Sequence, residues 1–367
     1  MTTDLPGATM LLKADGLEKK SDHLFYSPWS RKPLLLKNFA SYLREKTGDP
    51  SLHIVNRNDT IGEESSTPLS AADPKISPAK LVEGSSLTAI RIGNPSKTRF
   101  THFLDGIQRT HLACYWSMVP VLYGYTAAVI RERDSNRKMR SWRSLPNESL
   151  FFPFEQIDPS EMKVRGLNVV DTSDGDEQNQ EHPIGMLDKA RKSINRVRSK
   201  LESQLAKEWI ESYISSAGNW LLIDGSLTEV IDSSATANVI GIIKSHQTQY
   251  FTLEDQKKIL NLPAGQRSSV FEIPGRKRMG AYSWYLRLHP NAGRDIYFGL
   301  IRIEASPRPE TITMADEISR WLLAERSPLS LPDSRWDRLI YPIRDCEEYM
   351  RSIAPTKTAM EAQFSGI

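Results

Sequence analysis

Apolar positions fall into short β-type runs, one long helical stripe, and then a mixture of the two. From Leu87 the runs are LTAIRI, then FTHFLDG ending at Gly106, then HLACYWSMVPVLYGYTAAVIRER, whose aromatic and β-branched residues suit two long strands. A three-stranded antiparallel unit is the natural reading. Between Met186 and Ser216 the apolar positions Leu187, Ala190, Ile194, Val197, Leu201 and Leu205 step by three and four, the period of a long amphipathic helix. Ala217-Gly218-Asn219 ends it, and WLLIDGSL follows as a short buried strand running into a turn. NVIGIIKSHQTQYFTL reads as a strand pair, GAYSWYLRL and DIYFGLIRIEA as two more strands, ITMADEISRWLLAE as a helix, and the segment from Tyr341 as a last helical element. Strands, a long helix, a strand, then further strands and helices imply an α/β fold with a mixed sheet flanked by helices, not a doubly wound parallel sheet.

Polar stretches set the expected domain plan. Residues 1–30 read as a loose arm, Leu34 to Leu43 as a short helix, and the Ser-, Pro- and charge-rich stretch from Asn56 to Lys80 as a loop. The plan is an N-terminal arm and flexible loop over 1–85, one main domain over 86–353, and a C-terminal tail over 354–367. Within the main domain, residues 134–185, which include DTSDGDEQNQEHP, read as an irregular insertion.

Composition narrows the class only a little. The chain has 367 residues, 39% of them hydrophobic, and 48 basic against 45 acidic side chains leave a net charge of +3. That is enough apolar content for a sizeable core, and the near balance of charge says little about partners. Cys114 and Cys346 form no metal-binding or disulfide pattern, which fits a reducing compartment. The N-terminus lacks the run of a secretory signal and no stretch has the apolar length of a membrane span, so a soluble cytoplasmic protein without membrane attachment is expected. There is no phosphate-binding loop of the ATPase type, no G-x-S-x-G and no H-E-x-x-H.

The candidate chemistry is carboxylate chemistry. Two Asp-Gly pairs, Asp105 in FLDG and Asp224 in LLIDG, close apolar runs, where each aspartate would stand at the mouth of a dry strand and each glycine would let the backbone turn away. If those strands are neighbours, the like charges converge and call for a divalent cation, magnesium or manganese by ligand type. Such ions activate water for phosphodiester hydrolysis without a nucleophilic side chain. The long helix offers a third acid: Glu202, at the edge of the apolar stripe, with Glu208 as the alternative. Its first half carries Lys189, Arg191, Lys192, Arg196, Arg198 and Lys200, a surface able to follow a nucleic-acid backbone. Lys244 follows an apolar run, either near a scissile phosphate or as an ordinary strand-end lysine, while His102 and His111 flank Asp105 and read as turn or surface histidines ahead of helpers in phosphate or metal binding.

The succession FLDG, LLIDGSL, GIIKSHQTQYF, SWYLRL, GLIRIEA and RLIYPI, over about residues 100 to 350, resembles the NurA nuclease family, most specifically in LLIDGSL followed by GIIK. The resemblance implies an RNase H-like core, a homodimer, manganese-dependent exonuclease and endonuclease activity on DNA, and a hexameric HerA-type ATPase as partner. By position it makes Asp105 and Asp224 metal ligands, Glu202 the helix glutamate, and Tyr341 the family's C-terminal tyrosine. The family commonly has a histidine eight residues after that tyrosine, whereas this chain has Tyr349, which leaves Asp345, one turn earlier, as a substitute oxygen ligand. Two other functions remain open at this level: a non-catalytic DNA-binding or scaffold subunit of such an ATPase complex, and an enzyme of the same carboxylate type acting on RNA.

Overall fold

The hydrophobic runs assemble into one large mixed sheet covered on both faces. The computed structural model describes residues 34–54, 75–173, 182–213, 218–227, 238–274, 280–326 and 340–364. The expected arm over 1–30, most of the loop from Asn56, and the acidic patch around residues 174–181 lie outside them. The main strands are β1 (Phe100–Trp116), β2 (Val119–Arg133), β3 (Met139–Phe152), β4 (Trp220–Asp224), β5 (Val239–Ile243), β6 (Phe271–Ile273), β7 (Ala281–Arg287) and β8 (Leu300–Ala305). The helices that cover them are α1 (Leu34–Glu45), α2 (Pro183–Tyr213), α3 (Leu253–Leu260), α4 (Pro309–Glu325), α5 (Tyr341–Ile353) and α6 (Lys357–Phe364).

Across the sheet the order is β3-β2-β1-β4-β5-β8-β7-β6. The first three strands are antiparallel hairpin neighbours, β4 lies parallel to β1 and β5 parallel to β4, and β8 returns antiparallel to β5. Parallel pairing of β1 with β4 needs a crossover, which the 31-residue α2 supplies. Alternate residues then divide between two cores. Phe103, Trp220, Leu222, Ile240 and Ile242 pack with Trp321 of α4 and Cys346 of α5, whereas Leu104, Leu221, Ile223 and Val239 pack with Leu205 and Trp209 of α2. Gly124 of β2 lets α2 settle closely, since a Cβ there would lie 3.0 Å from Ile194 and 2.6 Å from Phe151.

Several expectations change. Residues 139–152, read as part of an irregular insertion, form the 14-residue β3; its first half is only partly covered, with Met139, Trp142 and Leu145 packed among exposed polar residues, so its apolar pattern is sparse, and β2 supplies its hydrogen bonds. The strand expected to end at Gly106 runs on to Trp116, so Asp105 lies inside a strand and not at its end. Within the expected arm and loop over 1–85, the helix read at Leu34 to Leu43 is present as α1 and is packed: Leu36, Phe39 and Leu43 are fully buried and share a core with Met360 of α6. By the same contact the expected tail contains a packed helix. The expected strand pair after Asn238 is β5 and a two-residue strand at Thr248–Gln249, which pairs with Lys75–Ile76 apart from the main sheet. Among the described residues, no helix is long and apolar enough to cross a membrane.

Candidate functional site

The parallel register of β1 and β4 puts Leu104 beside Ile223, so Asp105 and Asp224 follow as neighbours on adjacent strands. Each lies two residues beyond a side chain of the α4 and α5 core, Phe103 and Leu222, and the pleat therefore directs both aspartates to that face. The residues between them and those anchors, Leu104 and Ile223, point to α2. This alternation, not a shared turn, is what brings the carboxylates together. Only Asp224 ends its strand, with Gly225 at φ +132° turning the chain away.

Glu202 approaches Asp105 from the opposite side. It is 7% exposed, and a Cβ on Gly106 would fall 2.1 Å from its Oε1, so the glycine after Asp105 provides the space the glutamate fills. Glycine here serves close approach instead of a turn. Burial pushes the Asp105 carboxyl well above the usual range, and the charges of Asp224 and Glu202 push the same way, against the nearby ammonium of Lys244 and the Gly106 N–H that donates to Oδ1 at 2.7 Å. Lys244 donates from Nζ to Asp224 Oδ2 at 2.8 Å. Burial disfavours its charge, but Asp224, Asp105 and Glu347 outweigh this and hold it above the ordinary lysine range.

The structure thus gathers Asp105, Glu202, Asp224 and Lys244. Glu208, the alternative helix acid, pairs with Arg143 of β3 at 3.0 Å. Asp345 is not brought to the aspartate pair as a ligand but is bound by Arg131 of β2 at 2.7 Å, and the same guanidinium lies 4.7 Å from the centre of the Tyr349 ring. Successive helix positions diverge by about 100°, so Asp345 and Glu347 leave α5 in different directions. Glu347, which sequence reasoning missed, is the α5 acid that acts on Lys244; Arg344 at 2.7 Å and Arg351 at 2.6 Å bind it. The available signal was its place beside the buried stripe of Ile343, Cys346 and Met350. Tyr341 opens α5 and is 37% exposed.

His102 and His111 correct another expectation, since they are neither turn nor surface residues. Both lie within β1, 1% and 0% exposed. Burial lowers each to a pKa of about 4, with the charge of Lys357 adding to the effect at His111. His102 packs against Trp209 and Tyr213 on the α2 face, opposite the aspartates.

Among the described residues, no three of His, Cys, Asp and Glu stand close enough to grip an ion as they lie. The donor set still suits a hard divalent cation: two carboxylates at matched strand positions, with a third held beside the first across Gly106. Arg198 lies 3.7 Å from Glu202 Oε1, so the glutamate, like Asp224, faces a cation here. In comparison with known proteins, the chain matches no family model and no curated relative.

Proposed function

We propose that this protein is a divalent-metal-dependent DNA nuclease with an RNase H-like core, similar in plan to the NurA family. The observation that carries the reading is the matched placement of Asp105 and Asp224 on adjacent parallel strands, with Glu202 seated against Gly106. The strand order supports it: three antiparallel strands, a long crossover helix, then β4 and β5 added in parallel beside β1. In this reading the acids of the first and fourth strands are joined by one from the crossover helix, which approaches Asp105 across Gly106.

In this reading Asp105, Glu202 and Asp224 hold manganese or magnesium. A bound ion would lower the pKa of water and balance charge on a phosphodiester. Lys244 neutralises the aspartate pair and is placed to meet a phosphate oxygen, while Tyr341 lies at the start of the helix that carries Glu347. The exposed Arg191, Lys192, Arg196 and Lys200 of α2 offer a track for the DNA backbone. The chain has no ATPase loop, so a HerA-like hexameric ATPase is the proposed motor, and a cytoplasmic homodimer acting in end processing, repair or defence is the proposed setting.

The direct test is cleavage of linear DNA with manganese by the full chain and by Asp224→Asn. Loss of at least about a hundredfold in rate in the variant, with folding retained, is expected for a metal ligand. Cleavage that persists in the variant, or that is absent from the parent, would overturn the assignment. A second reading, a non-catalytic scaffold subunit, draws support from the Lys244 ammonium that already neutralises Asp224. It requires that neither form cleave.

A further inference from the structure

The turn that leads the chain out of β4 just after Asp224 is tied to a carboxylate two strands distant. Glu304 of β8 is completely buried. Its Oε2 accepts from the Leu227 backbone N–H at 2.7 Å and from the Ser226 hydroxyl at 2.8 Å, while its Oε1 accepts from Arg302 Nη1 at 2.6 Å. Between β8 and the turn lies β5, where Gly241 is the register partner of Glu304. A Cβ on Gly241 would stand 2.7 Å from the Gly225 carbonyl oxygen, so the missing side chain is what lets the turn rest on the sheet. The Gly225 N–H completes the attachment by donating to the Ile242 carbonyl at 2.8 Å.

A buried carboxylate is costly unless its hydrogen bonds are made, and an apolar side chain would have filled the same site with less demand. What the carboxylate alone does here is bind two successive donors directly behind Asp224. We infer that Glu304 is a positioning residue: by clamping Ser226 and Leu227 it sets the direction from which the Asp224 carboxylate meets Asp105. This rests on the metal-site reading above. A carboxamide cannot replace it, because one end must accept from the turn while the other accepts from Arg302, and an amide offers an acceptor at only one end.

The test uses the full chain and three variants. Glu304→Gln leaves an N–H donor facing either the turn or Arg302, and so weakens the clamp. Ser226→Ala removes one of its two arms and spares the core should the first variant fold poorly. Ser319→Ala is the control, since it removes from α4 the hydroxyl that accepts from Trp284 Nε1 of β7 at 2.9 Å without touching the turn. Hydrogen exchange of the Leu227 amide is measured without metal, and manganese affinity by titration calorimetry. Glu304→Gln is expected to speed that exchange and to weaken manganese binding about tenfold, the usual size of an effect exerted through a ligand's support. Ser226→Ala should shift both in the same direction by less, and Ser319→Ala should shift neither, whatever its melting temperature. Unchanged exchange and affinity in Glu304→Gln, or equal changes in the control, would overturn the inference. A parent that binds manganese but leaves DNA intact would sink the nuclease reading alone, and the affinities would still decide the role of Glu304.

Discussion

At the level of single residues, surroundings decide what a side chain does. His102 is held neutral because burial lowers its pKa from 6.5 to about 4. Between those values the unfolded chain binds a proton that the folded chain does not, so stability falls as the pH drops from about 6.5 to about 4 and levels off below. The full effect of one such group is about 3 kcal/mol. His102→Phe, followed by chemical denaturation at several pH values, should reduce the slope of stability in that window by up to about 1.4 kcal/mol per pH unit. An unchanged slope would mean that the ring is charged, or hydrated, in the folded state. Asp105 and Asp224 were legible because each closes an apolar run. Glu347 was not, because only the contact of α5 with the sheet separates it from Asp345 and Glu348.

At the level of elements, α2 meets β1 through a glycine. Gly106→Ala would set a methyl where Glu202 Oε1 now lies. The obstacle is the far end of a flexible side chain, so the glutamate can swing aside at a cost of about 1–3 kcal/mol. Metal-dependent cleavage should therefore fall by at least about tenfold in kcat, the level lost on disturbing the support of a ligand. Thermal denaturation should show a folded protein, and activity equal to the parent would show that Glu202 takes no part. The long period of α2 and the apolar β4 were readable as patterns. β3 was not, since its outer half is only partly covered and Pro146 sits in its middle opposite Ala127. A strand of that kind is defined by its neighbour and not by its own residues.

At the level of the whole molecule, net charge of +3 conceals an uneven surface. Arg191, Lys192, Arg196 and Lys200 stand exposed on one helix, Arg191 beside Asp188 at 3.5 Å, whereas Arg198 is half-buried against Glu202. Replacing these four by glutamine should weaken DNA binding at every sequence. It should also make the fall of affinity with salt shallower, by up to about 0.9 in logarithmic slope for each phosphate that is no longer neutralised. Fluorescence anisotropy over a range of salt concentrations measures this, and an unaltered slope would move the DNA to another face. The two ends of the described fold also meet at this scale, where α1 and α6 share one core.

Read alone, the sequence determined the kinds of element and the class of fold: short strands, a long helix with a basic first half, and a mixed order that implies an α/β sheet flanked by helices. These are local properties, carried by side-chain type and by period. Register and pleat, which are relations between strands far apart in the chain, were settled only by the tertiary structure. They turned Asp105 and Asp224 to one face, put Glu202 against Gly106 from the other, gave Asp345 to Arg131, and brought Glu304 up behind the turn that holds Asp224.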